Sequence, residues 1–161
     1  MTERKNDPQA ERGPDVATNR AARHKYVVVE TMEAGIQLRG TEVKALREGT
    51  ARLQDSYAAI EDGQIWLRGA YIPHYAPASR ENHEPERARK LLLHRWEIER
   101  LIGRMNRKGL TLIPTRIYFK GNRAKVELAL ARGKEHRDRR REIRDRDVAR
   151  DVARELKDRN Q

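Results

Sequence analysis

Short stretches of alternating apolar and polar side chains recur along the chain and predict β-strands. Residues 26–29 form a β-branched run that favours a strand, and residues 36–38 continue after a predicted turn or bulge at 33–35. Asp62-Gly63 joins two further strands as a hairpin, because this pair tolerates the positive φ angles that tight turns require. The other predicted strands cover residues 56–60, 65–67, 71–73, 111–114, 116–119 and 124–130.

Two segments between the strands have apolar residues at helical spacing instead. Residues 42–47 predict a short helix, and residues 94–108 predict a longer one that ends at Gly109. Strands interrupted by helices, without a regular βαβ alternation, predict a mainly β fold: an OB-like closed β-barrel with about three helices and a basic C-terminal tail. The aromatic side chains predicted to lie in its core are Trp66, Trp96 and Phe119.

The two ends of the chain differ in composition from the predicted barrel, which covers residues 19–131. Residues 1–18 combine charge, proline and glycine with few large apolar side chains, so we expect a disordered lead. Residues 132–161 are about two-thirds charged, and their last apolar residues form too narrow a stripe to bury well. We therefore expect a tail that is disordered when free and helical against a partner.

The charge of the chain points to a polyanionic partner. The 161 residues carry a formal net charge of +11, with +6 in residues 101–131 and +4 in residues 132–161. Such a field attracts nucleic acid. No apolar run approaches the roughly 18 residues of a spanning helix, the first residues lack the apolar region typical of a signal peptide, and the sequence contains no cysteine. We expect a cytoplasmic protein that binds no membrane.

Residues suited to catalysis or metal binding are few and scattered. No two of the five histidines are four residues apart and there is no cysteine, so no metal or cofactor is expected. Nucleophile-elbow and Walker motifs are missing as well. One enzymatic alternative is a metal-independent ribonuclease in which His24 or His94 acts as general base beside Lys90 or Arg89. Another alternative is a structural protein of the ribosome.

Several ordered segments resemble the small protein B family, the SsrA-binding proteins. They are residues 19–24, 33–35, 40–47, 55–57, 89–93, 118–120 and 131–134, within a resemblance that covers about residues 19–157. The resemblance implies a non-enzymatic protein that binds the tRNA-like domain of transfer-messenger RNA and delivers it to stalled ribosomes for peptide tagging. The implied partners are this RNA, the stalled ribosome with its small-subunit rRNA and, through the RNA, elongation factor Tu and alanyl-tRNA synthetase, but not DNA.

The resemblance also implies RNA contacts at Asn19, Glu33 and Leu92. Asn19 either contacts a base or caps a helix, and Glu33 either accepts hydrogen bonds from a base or is a solvated turn residue. Leu92 is expected to point outward between two inward-facing leucines. Contacts to phosphates, unless these charges are simply solvated, are expected from Arg87, Arg89 and Lys90 at the end of a basic loop. Further RNA contacts are expected from Arg20, Arg23 and His24.

In the family, the tail enters the vacant decoding centre and mRNA channel. Gly133 matches the opening of the family's tail, and Arg139 replaces a lysine in its charged element. Arg137 stands where some relatives carry an aromatic residue or histidine, and Glu155 departs from an often apolar pair. The tail residues expected to contact the ribosome are Lys134, Arg137, Asp138, Arg139, Arg140, Val148 and Leu156.

Overall fold

A computed structural model of the chain describes residues 12–78 and 80–159, without the side chains of residues 107, 108, 136, 137, 158 and 159. The elements in chain order are β1 (Arg12–Thr18), α1 (Arg20–Lys25), β2 (Tyr26–Ile36), α2 (Gly40–Arg47), β3 (Tyr57–Glu61), β4 (Gln64–Arg68), β5 (Arg89–Leu92), α3 (Arg95–Lys108), β6 (Thr111–Lys120), β7 (Arg123–Gly133) and α4 (His136–Arg159).

The strands form a closed ring. They follow the order β1-β6-β3-β4-β5-β2-β7, and β7 also pairs with β6, which joins the two sides of the sheet. Six antiparallel strands therefore form a closed ring. Strand β1 lies outside this ring and pairs with residues 116–120 at the C-terminal end of β6. Closure satisfies the backbone groups that an open sheet would leave at its edges. The predicted mainly β fold with a closed barrel is confirmed.

An aliphatic core fills the ring, as the scarcity of aromatic residues requires. Alternation places Ile65 and Leu67 of β4 inside, each fully buried. Helix α2 contributes Leu46 and α3 contributes Leu101, which are also buried. The Asp62-Gly63 hairpin is confirmed, and both turn residues have the positive φ angles that the pair was expected to supply.

Two strands are longer than predicted. Residues 33–35, predicted as a turn or bulge, continue β2 without interruption, and the register shift of this strand lies earlier, between Val28 and Glu30. Strand β6 likewise passes through Pro114 with a shift before Arg116. A bulge breaks the regular ladder, so a proline without an N–H is tolerated there.

Part of the predicted disordered lead is ordered. Residues 12–18 form β1 on β6, where the guanidinium of Arg12 lies 4.1 Å from the centre of the Tyr118 ring and Ala17 is buried. The expectation was wrong for these residues because their contacts come from a distant strand that local composition does not reveal. Residues 1–11 lie outside the described part of the chain.

Trp96 is not a core residue, although the pattern predicted one. It is 61% exposed. At about 100° per residue, Trp96 lies roughly 200° around α3 from Ile98, which packs on the core together with Met105. Phe119 does pack against the core as predicted, and Trp66 is half-buried.

The basic tail forms the long helix α4. Its apolar side chains Ile143, Val148, Val152 and Leu156 are each at least 50% exposed, in agreement with the expected narrow stripe. Disorder of the free tail stays a prediction. No helix among the described residues is both long and apolar enough to cross a membrane.

Candidate nucleic-acid interface

An open groove of about 370 Å³ lies where β2, β5 and the start of α3 meet. Gly35 of β2 is paired with Leu92 of β5 on one side and with Lys125 of β7 on the other. A Cβ atom at position 35 would lie 3.2 Å from the Cβ of Leu92. The absence of a side chain at Gly35 therefore leaves the space that the Leu92 side chain occupies in the groove. The lining residues are Glu33, Gly35, Leu92, Leu93, His94, Glu97 and Lys125.

Glu33 presents a carboxylate at this groove. The Tyr118 hydroxyl donates a hydrogen bond to its Oε2 at 2.5 Å, and the Nζ atoms of Lys120 and Lys125 lie 3.6 and 3.9 Å from its Oε1. Burial and the bond to Glu33 raise the pKa of Tyr118, so the hydroxyl remains a donor. The Glu33 side chain is still 35% exposed. It can therefore accept further hydrogen bonds from a base.

Leu92 adds an apolar surface to the same groove. Leu91 is buried, whereas Leu92 is 51% exposed and Leu93 packs partly against the core. The predicted outward direction of Leu92 is confirmed. A hydrogen-bond acceptor and an exposed apolar side chain thus lie together in one groove, although they are far apart in sequence.

Asn19 serves as a helix cap. Its Oδ1 accepts a hydrogen bond from the N–H of Ala22 at 3.2 Å, and its Nδ2 donates to the carbonyl of Pro114 at 3.0 Å. The residue is only 6% exposed. Its amide is therefore committed to joining α1 to β6. The capping alternative is confirmed, and the base contact of Asn19 stays a prediction.

The other basic residues of the N-terminal motif lie on α1. Arg20, Arg23 and His24 are exposed there. Helix α1 leads into the first residue of β2, whereas Glu33 lies seven residues further on. This separation is on the order of 20 Å for an extended strand. The structure therefore divides the predicted RNA contacts between a basic helix and a groove.

Arg89 is part of the core rather than a phosphate contact. It is fully buried, and its Nε lies 2.8 Å from Oε1 of Glu42. The guanidinium also donates to the carbonyls of Ala70 and Pro85 at 2.9 and 3.0 Å. The predicted RNA contact is wrong because this cation cannot reach solvent. Strand alternation carried the signal, since Arg89 faces the same side as buried Leu91.

The two neighbouring cations are partly accessible. Arg87 is 22% exposed and binds the Glu42 carboxylate through Nε and Nη2 at 2.7 and 2.6 Å. Lys90 is half-buried and lies opposite Trp66 on β4. Lys90 is thus better placed than Arg87 to meet a phosphate.

Sequence reasoning missed the residues that hold Glu33, because Tyr118, Lys120 and Lys125 come from the distant β6–β7 pair.

Ion pairs tie the start of the tail to the barrel. The Nζ of Lys134 lies 2.5 Å from Oε1 of Glu142 and donates to the carbonyl of Arg23 at 2.7 Å. Arg132 contacts Asp138 at 3.1 Å. Hydrogen bonds from Arg132 and from the backbone of Glu135 hold the pKa of Asp138 below its ordinary value. Lys134 is therefore engaged by the protein itself.

The remaining predicted tail residues lie further along α4. Arg139 and Arg140 are exposed, and the side chains of Val148 and Leu156 are 62% and 57% exposed. These residues are available to a partner, whereas Asp138 is held by Arg132. The side chain of Arg137 lies outside the described part of the chain.

A closed β-barrel with a net charge of +11, a basic helix and a groove that combines acceptor and apolar groups defines a small RNA-binding protein of the OB-like class. The chain belongs to the SmpB protein family, whose model matches residues 16–158. The family resemblance of the sequence is thereby confirmed.

Similar proteins extend this assignment. The SsrA-binding protein of Mycolicibacterium paratuberculosis is 54% identical over 141 residues, which cover 88% of this chain and 83% of the relative. The SsrA-binding protein of Mycobacterium tuberculosis H37Rv is 55% identical and covers 88% of each. A solved structure described as "tmRNA-SmpB: a journey to the center of the bacterial ribosome" is 48% identical, with a TM-score of 0.63 over 79% of this chain and 93% of that chain.

Proposed function

We propose that the chain binds the tRNA-like domain of transfer-messenger RNA and delivers this RNA to stalled ribosomes for trans-translation. Membership of the SmpB family and the likeness to a tmRNA-SmpB structure support the proposal. The observation that carries it is the meeting of Glu33 and Leu92 in one groove. Elongation factor Tu and alanyl-tRNA synthetase then act through the bound RNA. Delivery to ribosomes implies a cytoplasmic protein.

The groove and the basic helix have different tasks in this proposal. Glu33 accepts hydrogen bonds from base amino or imino groups, and Leu92 packs on a base or sugar, so the groove specifies the RNA. Arg20 and Arg23 bind phosphates, which adds affinity for any RNA. The protein acts by binding. One of the cations considered for a ribonuclease, Arg89, is buried and cannot serve as a surface catalyst.

Helix α4 acts on the ribosome. We assign it to the empty decoding centre and mRNA channel, where Arg139 and Arg140 contact rRNA phosphates and Val148 and Leu156 make apolar contacts. Their exposure supports this assignment. Asp138 positions the first turn of α4 through its ion pair with Arg132.

Replacing Glu33 tests the groove. Glu33→Gln keeps the size of the side chain and an acceptor for Tyr118, but removes the charge and one acceptor oxygen. We expect the affinity for the tRNA-like domain to fall about tenfold or more, since a good base contact is worth roughly 1–3 kcal/mol. Leu92→Ala should weaken the same complex. Binding to an unrelated RNA hairpin of equal length, measured in parallel, should change little.

A matched control replaces both Arg20 and Arg23 with alanine. Binding to both RNAs should then weaken equally, and the slope of log K against log salt should become shallower by about one to two units. Equal losses on the two RNAs for Glu33→Gln would contradict the assignment of the groove. Cleavage of either RNA by the pure protein would contradict the non-enzymatic function.

A further inference from the structure

Trp96 is a large aromatic side chain that does not pack into the core of the barrel. It lies in the first turn of α3 and is 61% exposed. Its ring plane is within 9° of parallel to that of His94, and the ring centres are 6.4 Å apart. His94 is also exposed and lines the groove next to Leu92. An uninterrupted succession of exposed side chains thus leads from Leu92 through His94 to Trp96.

The surroundings of this aromatic surface favour nucleic acid over a protein partner. The Arg95 side chain is 92% exposed, and Lys90 lies on the adjoining strand. Charged Glu97 and Glu99 interrupt the apolar area, so it does not form the contiguous patch that a protein interface requires. Exposed aromatic rings beside cations are typical of sites where unpaired bases stack and phosphates bind alongside.

We propose that Trp96, together with His94, is a stacking platform for an unpaired base of the bound RNA. The base would lie beside the nucleotide contacted by Glu33 and Leu92. This inference rests on the proposed function, because the same RNA must occupy the groove. Every base has a π-face, so the platform adds affinity without reading sequence. The platform therefore accepts any unpaired nucleotide of the RNA strand, provided that the strand passes from the groove across His94.

Two substitutions separate stacking from simple apolar contact. Trp96→Leu keeps an apolar side chain but removes the aromatic ring, and should weaken binding to the tRNA-like domain about five- to tenfold or more. Trp96→Phe should retain most of the affinity. The salt slope should stay unchanged in both, because no phosphate contact is lost. Thermal unfolding should also be nearly unchanged, since the side chain is mostly exposed.

A spectroscopic measurement reports on the ring directly. The chain contains two tryptophans, so Trp66→Phe leaves Trp96 as the only indole. Adding the tRNA-like domain should quench its fluorescence, because a base stacked on the ring accepts an electron from the excited indole. A blunt RNA duplex without unpaired nucleotides should cause little quenching. It should also bind the Trp96→Leu variant as well as it binds the unchanged protein.

The outcomes distinguish this inference from the proposed function. If Trp96→Leu binds the tRNA-like domain as tightly as the unchanged protein, the proposal of a stacking platform is wrong, and the assignment of the groove is unaffected. A loss of peptide tagging without a loss of RNA affinity would assign Trp96 to another partner and would also overturn it. If the unchanged protein fails to prefer the tRNA-like domain over an unrelated hairpin, the proposed function itself fails.

Discussion

Removal of residues 135–161 is expected to abolish peptide tagging on stalled ribosomes while leaving the affinity for transfer-messenger RNA nearly unchanged. The groove with Glu33 and Leu92 lies on the barrel and stays complete in the shortened chain. Helix α4 is tied to the barrel by the pairs Arg132–Asp138 and Lys134–Glu142. The Arg132–Asp138 pair is solvent-accessible and contributes about 0–1 kcal/mol. The buried Lys134 side chain keeps its hydrogen bond to the carbonyl of Arg23 in the shortened chain, so the barrel should remain folded without the helix.

Three measurements on the same preparations check this separation: the affinity for the RNA, the temperature of unfolding and the tagging of a stalled peptide. Reversing the charges of Arg139 and Arg140 to glutamate in the full chain should reduce tagging without lowering the unfolding temperature, because both side chains are exposed. Parallel loss of RNA affinity and tagging on truncation, or unfolding of the barrel, would show that α4 belongs to the RNA-binding unit.

Elements with strong local signals could be predicted from the sequence. The hairpin follows from Asp62-Gly63, and α3 follows from apolar spacing and from Gly109, which ends it with a positive φ. The outward direction of Leu92 follows from the family resemblance together with strand alternation, which places Leu91 and Leu93 on the opposite face. In each case, neighbours in sequence determine the conformation.

Features that depend on distant partners could not be predicted. Strand β1 is ordered by β6, and Asn19 is committed by the carbonyl of Pro114. Glu33 is oriented by three residues from β6 and β7, including Tyr118, that no local pattern connects to it. Trp96 does not lie in the predicted core, because its position about 200° around α3 from Ile98 directs the ring to solvent. Tertiary contacts and function override local preference at such positions.

Replacement of Glu42 is expected to cause the largest loss of stability in the barrel. The carboxylate is fully buried and accepts hydrogen bonds from Arg87, from Arg89 and from the backbone N–H of Arg39 at 2.8 Å. Glu42→Gln would leave buried Arg89 without its counter-charge. Breaking a buried pair in this way costs about 3–5 kcal/mol. The midpoint of urea unfolding should fall accordingly.

Glu61→Gln is the matched control, because Glu61 forms an exposed pair with Arg68. Its removal should cost no more than about 1 kcal/mol. Equal urea midpoints for Glu42→Gln and the unchanged protein would contradict the structural importance of the buried cluster.

The pH dependence of stability provides an independent check on Glu42. Burial alone would raise its pKa, but hydrogen bonds from Arg87, Arg39 and Arg89 outweigh burial and hold the pKa below the ordinary value of 4.5. A carboxylate with a lowered folded-state pKa contributes stability above its unfolded pKa and loses that stability as the pH falls through the folded value. The unchanged protein should therefore lose stability below about pH 4.5 more steeply than Glu42→Gln. Parallel pH profiles of the two proteins would show that the Glu42 carboxylate does not titrate with this lowered pKa.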